Sequence, residues 1–304
     1  MKLATTTCDY AHYYDDHKER LDALHRAGFR YVDLSMYTDA EMAPFMQDDW
    51  KDYTKALAAY AKELGLTFVQ AHSPGGNPLG SAEEREKLIQ TTRRSVEVCG
   101  MLGIPNTVSH AGWRAGIERE QYYEENLAFY REFFDVMDAC GVNVLTENST
   151  RANMGAAYYF YDGADMRDFL EYAGNPRLGA CWDTGHANVE GHQYADLLAL
   201  GSKHLKAVHI NDNRGKKDEH VLPFCGTVSI DEVMHGLLNC GYAGYFTLEC
   251  GSTLRPSHYW LGDRRSFSGD CRLTDAPIEM KDKLEEAAFL FGKYVLTAYA
   301  CYEE

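Results

Sequence analysis

Six short runs of this chain, each apolar or β-prone, end in a side chain that can bind a metal or move a proton. The run over 178–183 ends in Asp183, and His186 follows three residues later, across a turn containing Gly185. The runs over 67–72, 106–110 and 142–147 end in His72, His110 and Glu147, and those over 207–210 and 245–249 carry His209 and Glu249. A strand that delivers a carboxylate or imidazole at its tip offers a hard or borderline metal ligand. Taken singly, each is better explained as a helix cap or a satisfied polar group. Cys181, two residues before Asp183 and on the same strand face, reads as filling of the interior and not as a ligand.

The spacing makes them a set. From 72 to 110, 147, 183, 209 and 249 the steps are 38, 37, 36, 26 and 40 residues. A (β/α)8 barrel of roughly 250–300 residues spends about 30–38 residues on each βα unit and gathers its chemistry at the C-terminal ends of its strands. The fold class expected is therefore α/β, a (β/α)8 TIM barrel, as one domain over 1–304 with the six side chains converging at one mouth.

The elements between them keep that rhythm. Strands are expected over 2–8 and 29–34. Helices are expected over 20–27, 51–64, 81–102, 118–140, 165–173, 194–200, 230–238 and 278–299, several stopped by Gly28, Gly65, Gly141 or Gly241. Ser81 and Glu84 have the spacing of a capping box. The acidic, Met-rich stretch from 35 to 50 reads as a solvated lid with a few packing anchors. Long loops at 211–226 and 251–277 lie on the ligand face and are assigned to substrate selection, with Arg255, Tyr259 and Trp260 as lining candidates.

Composition narrows the function. There are 304 residues, 45% hydrophobic and 25% charged, with no linker-like stretch and no run of 18 apolar residues. The amino terminus lacks the apolar core of a signal peptide, and nine scattered cysteines never form Cys-x-x-Cys, so a cytoplasmic enzyme with reduced thiols and no membrane partner is expected. A net charge of −16 argues against a nucleic-acid partner. A small-molecule sugar is the expected partner, and a homo-oligomer is compatible with the sequence.

Glu147, Asp183, His209 and Glu249 make an oxygen-rich set with one nitrogen, suited to Mn²⁺, Co²⁺, Mg²⁺ or Zn²⁺ with positions left for substrate oxygens. Three converging carboxylates would repel strongly without a cation. A metal chelating the adjacent carbonyl and hydroxyl of a sugar acidifies the C–H between them and stabilises the enediolate. Glu147 and Glu249, on opposed strands, could then take the proton from one face and return it to the other.

Over nearly its whole length the chain resembles the sugar phosphate isomerase/epimerase superfamily, with its xylose isomerase-like TIM barrel. The residues that carry the resemblance are Thr146-Glu147-Asn148, the segment 181–188 with Asp183 and His186, His209-Ile210-Asn211-Asp212-Asn213, Asp218-Glu219-His220, Gly226-Thr227 and Glu249. It implies a divalent metal on Glu147, Asp183, His209 and Glu249, the two glutamates as acid/base groups, and His186 beside the substrate. Ketose 3-epimerases carry a further Glu six residues after the first, where this chain has Asn153, which counts against a free-ketose 3-epimerase.

The same superfamily includes endonuclease IV, a trinuclear zinc enzyme whose nine ligand positions are matched by His72, His110, Glu147, Asp183, His186, His209, Asp218, His220 and Glu249. On that reading His186, Asp218 and His220 hold a second cation, and His72 and His110 a third with Glu147; in an isomerase they need only contact the substrate. The acidic charge favours a metal-dependent sugar isomerase or epimerase. A multi-zinc phosphodiesterase, or a dehydratase or lyase on a keto-sugar or inosose, is the alternative. Arg214, Lys216 and Lys217 could bind a substrate phosphate, although a solvated loop explains them as well.

Overall fold

The computed structural model describes residues 1–191, 193–254 and 276–304. Eight parallel strands close into a barrel in chain order: β1 (Lys2–Thr6), β2 (Tyr31–Ser35), β3 (Thr67–His72), β4 (Asn106–Val108), β5 (Asn143–Glu147), β6 (Leu178–Asp183), β7 (Leu205–Ile210) and β8 (Tyr245–Leu248). β8 pairs back onto β1, which removes both sheet edges. The expected (β/α)8 barrel is borne out.

The helices form where apolar residues recur at helical spacing. His17–Ala27 buries Leu21, Leu24 and Ala27, and ends at Gly28 with φ 105°, a conformation that costs a glycine little. The larger apolar core fills the layer between helices and sheet, with Val32, Phe68, Trp182 and Phe246 among its members. Val108, Leu145, Cys181 and Ala207 form a separate apolar cluster, the barrel's own filling, so Cys181 sits where its strand position implied. Burial pushes its thiol up to about 12.

Several boundaries differ from expectation for physical reasons. The first strand stops at Thr6, because residues Thr7–Tyr10 wind into a 3-10 turn capped by the Thr6 hydroxyl. The helix expected over 118–140 is two helices, Arg119–Tyr130 and Phe134–Cys140, joined by the 3-10 turn Arg131–Phe133. Ser81 caps Ala82–Leu102 through the Glu84 N–H, but the Glu84 carboxylate accepts from the Asn77 N–H instead of closing a capping box. The supposed lid is partly helical and anchored. Thr38 and Glu41 make a capping box on Asp39–Met42, Met36, Met42 and Phe45 are buried, and Glu41 pairs with buried Arg20 at 2.6 Å. No helix among the described residues is long and apolar enough to cross a membrane.

Candidate metal centre and active site

Of the charged groups singled out in the sequence, His72, His110, Glu147, His186, Asp218, His220 and Glu249 line one cavity; Lys216 and Lys217 do not, and Arg255, with Tyr259 and Trp260, lies outside the described residues. His72, Glu147 and Asp183 are the last residues of β3, β5 and β6. His209 is one residue from the end of β7, Glu249 follows β8 at once, and His110 lies two residues beyond β4. Asp218 and His220 come from the loop after β7. These side chains, Asp183 and His209 excepted, line a cavity of about 450 Å³ together with Cys8, Asp9, Tyr37, Asn153 and Met154.

At the centre, His209 Nδ1 is 2.6 Å from Glu147 Oε1 and 3.4 Å from Glu249 Oε2. The second Glu147 oxygen lies 3.3 Å from His110 Nε2 and 3.5 Å from His72 Nε2. Burial alone would raise the Glu147 carboxyl, but His209, with His72 and His110, outweighs it and holds it well below the usual range. Glu249 stays ionised for the same reason, held down at about 2 by His209 and His220 against its burial. His110, buried deeply and close to His72, is pushed down to about 4 and is neutral at pH 7.

Asp183 has no solvent exposure and is raised by burial, against the pull of His186 and His220. Its Oδ1 caps Thr184–Glu190 by accepting the His186 N–H at 2.6 Å, and its Oδ2 accepts from Asn211 Nδ2 at 2.6 Å. The Asn148 side chain accepts the Asp183 N–H and donates to its carbonyl. Gly185 is required here, since a Cβ would run into the Asn211 side chain that reaches past it.

Beyond Asp183, His186 Nε2 lies 3.0 Å from Asp218 Oδ2, and its Nδ1 lies 2.9 Å from the Asn148 carbonyl. Burial opposes the charged ring, but Asp183 and Asp218 raise it to about 10. His220 Nε2 is 2.8 Å from Asp218 Oδ1 and its Nδ1 3.4 Å from Glu249 Oε2, at a backbone φ of 46°. Asn153 donates to Asp218 Oδ2 at 3.0 Å, the same carboxylate oxygen that meets His186. The Arg214 guanidinium pairs with Glu219.

One ligand atom from each of Glu147, Asp183, His209 and Glu249 lies within 4.8 Å of the others, and the same holds for His72–His110–Glu147 and Asp183–His186–His220. Three carboxylates and one imidazole nitrogen, all buried but for half-buried Glu249, fit a divalent cation by donor chemistry and by charge. Tyr37 carried no site signal in the sequence, and Asn148 and Asn211 belonged to the resembling motifs without an assigned role. The side chains of the two asparagines hold Asp183, and Tyr37 is brought edge-on to His72 at 5.0 Å by the turn after β2.

Known proteins resemble the chain along most of its length. L-ribulose-5-phosphate 3-epimerase UlaE of Escherichia coli is 26% identical over 250 residues, 77% of this chain and 82% of that one. A probable endonuclease 4 of Cenarchaeum symbiosum is 28% identical over 153 residues, about half of each chain at 45% and 53%. Among solved structures, the IolI protein with a binding zinc atom superposes with a TM-score of 0.75 at 15% identity, over 98% of this chain and 99% of that one. D-psicose 3-epimerase with D-tagatose, from Clostridium cellulolyticum H10, gives 0.73 at 20% identity over 97% and 99%. The family model described as the xylose isomerase-like TIM barrel matches residues 21–267, and with the closed eight-stranded barrel this places the chain in that family.

Proposed function

We propose that the protein is a divalent-metal-dependent isomerase or epimerase of a sugar or sugar derivative. The observation that carries this is the pair of ionised glutamates, Glu147 and Glu249, which both approach His209 Nδ1 and both line one cavity. The sugar epimerases among the relatives support the substrate class. Glu147, Asp183, His209 and Glu249 would hold the cation, whose contribution when bound is to polarise the substrate carbonyl and acidify the adjacent C–H. Glu147 takes the proton from that carbon, and Glu249 returns one from its own side. His186, charged and held through both ring nitrogens by Asp218 and the Asn148 carbonyl, sets a positive charge beside the substrate oxygens. The apolar filling under the site closes the barrel from below.

Deuterium incorporation tests it. Metal-loaded protein incubated in D₂O with ketoses, keto-sugars and inososes should wash label into one carbon of one of them. The absence of exchange with every compound would end this reading. A dehydratase or lyase would also exchange, and product analysis separates it. One observation favours a second reading, a multi-zinc phosphodiesterase: the two further groups, His72–His110–Glu147 and Asp183–His186–His220, could each hold an ion. Three equivalents of zinc in protein purified without added metal, with cleavage of an abasic-site duplex, would establish that reading in place of the first.

A further inference from the structure

We propose that Gln70 and Asp33 are positioning residues for His209, Gln70 by accepting from its Nε2–H and the Asp33 carboxylate by its charge nearby, which together present Nδ1 to the carboxylates. The inference rests on the cation site proposed above only in what Nδ1 is offered to. Two register slips bring the three residues together. Between β2 and β3 the pairing runs Val32↔Phe68 and then Asp33↔Gln70, so Val69 is an extra residue. A one-residue slip exchanges the faces of a strand, and bulges re-aim side chains beside active sites. The bulge puts Gln70 and His72 on the same inward face as Asp33 and Ser35. Between β6 and β7, Ala180↔Leu205 is followed by Cys181↔Ala207, which makes Lys206 the extra residue and sets His209 opposite Asp183.

The result is a polar layer behind the imidazole. The Gln70 amide nitrogen lies 2.8 Å from His209 Nε2, and a half-turn of that amide, which exchanges its nitrogen and oxygen, decides which of the two faces the ring. Asp33 decides it. Its Oδ2 is buried without a hydrogen-bond partner and lies 3.9 Å from the same ring nitrogen, while its Oδ1 accepts from Thr6 Oγ1. A carboxylate can only accept, so the proton belongs on Nε2 and the Gln70 oxygen turns toward it. On the other side of the ring, Nδ1 faces Glu147 and Glu249. A histidine that binds a metal through one nitrogen is commonly held through the other, and loss of such a partner weakens binding about 10–100-fold.

The test uses the full chain labelled with ¹⁵N-histidine, without metal and with Zn²⁺, alongside calorimetric titration with Zn²⁺. The wild type should show a slowly exchanging Nε2–H signal from His209. Gln70→Met, close in shape, should speed that exchange and weaken zinc binding about 10–100-fold. Gln70→Glu should restore both, and Asp33→Asn should shift both in the direction of Gln70→Met. An unchanged signal and affinity in folded Gln70→Met overturns the inference, as does an Nδ1–H signal in the zinc-loaded wild type. A wild type that takes up no zinc defeats the cation reading alone. The exchange rate in the metal-free chain then decides the inference, and an equal rate in Gln70→Met refutes it. Should Gln70→Met fail to fold, Asp33→Asn carries the same two readouts: faster exchange and weaker zinc binding support the inference, and no change in either overturns it.

Discussion

Two of the regions that bury charged groups among the described residues do so in opposite ways. Near the amino-terminal helix, Arg20 and Glu41 meet at 2.6 Å with side chains 3% and 1% exposed. Arg20 also donates to the Tyr14 carbonyl, and Glu41 accepts from the Thr38 N–H and hydroxyl. A guanidinium that never deprotonates is matched to one carboxylate, so the pair is complete in itself. At the barrel mouth, Glu147, Asp183, Asp218 and Glu249 face five histidines whose charge depends on what they touch. Fixed charges that balance hold a fold together. Carboxylates matched by titratable rings leave a place for protons or a cation.

Replacement at each region should therefore fail differently. Glu147→Gln and Glu249→Gln are each expected to cut turnover by about 10²–10⁴-fold with the fold intact, measured as deuterium exchange into the substrate. Near-normal exchange in either variant would break the two-carboxylate scheme. Arg20→Ala or Glu41→Ala should cost about 3–5 kcal/mol in urea unfolding, because each leaves an uncompensated buried charge. The double variant Arg20→Met, Glu41→Met should cost much less than either single change. Equal losses in all three would show that the pair is not the self-contained unit described here.

The histidines sharpen the contrast by titrating in opposite senses. His17, beside Arg20, is pushed down to about 4, first by burial and then by the Arg20 charge. A depressed histidine binds fewer protons folded than unfolded. Its contribution is present above about pH 6.5 and is lost as the pH falls toward 4, up to about 3 kcal/mol. His17→Phe should flatten the unfolding free energy across that window, and an unchanged slope would remove His17 as its source. His186, raised to about 10, has the reverse sign: in metal-free protein its contribution is complete below about pH 6.5 and disappears as the pH rises through 10. Cation uptake at pH 7 should accordingly release protons, seen as a buffer-dependent binding enthalpy, with affinity rising with pH. The smallest effect is expected at Arg214, whose side chain is 71% exposed. Arg214→Ala should change stability by less than about 1 kcal/mol and raise KM only if the substrate carries a phosphate.

The period of the strands and the type of residue at each strand's end are legible in the one-dimensional sequence, and with them the barrel and the ring of charged side chains at its mouth. A parallel barrel forces each βα unit to return its strand tip to the same rim, so Glu147, Asp183 and His209 can be grouped without coordinates. Asp33 and Gln70 cannot. By simple alternation Gln70 shares a face with Phe68, and only the bulge at Val69 turns it inward. The stretch from 35 to 50 hides its anchoring for a related reason: nothing near Glu41 in the chain reveals that Arg20, twenty-one residues earlier, waits to pair with it. Local spacing determines which groups reach the barrel mouth. Strand register and long-range burial, which depend on neighbours distant in the chain, decide which nitrogen, oxygen or charge each one meets there.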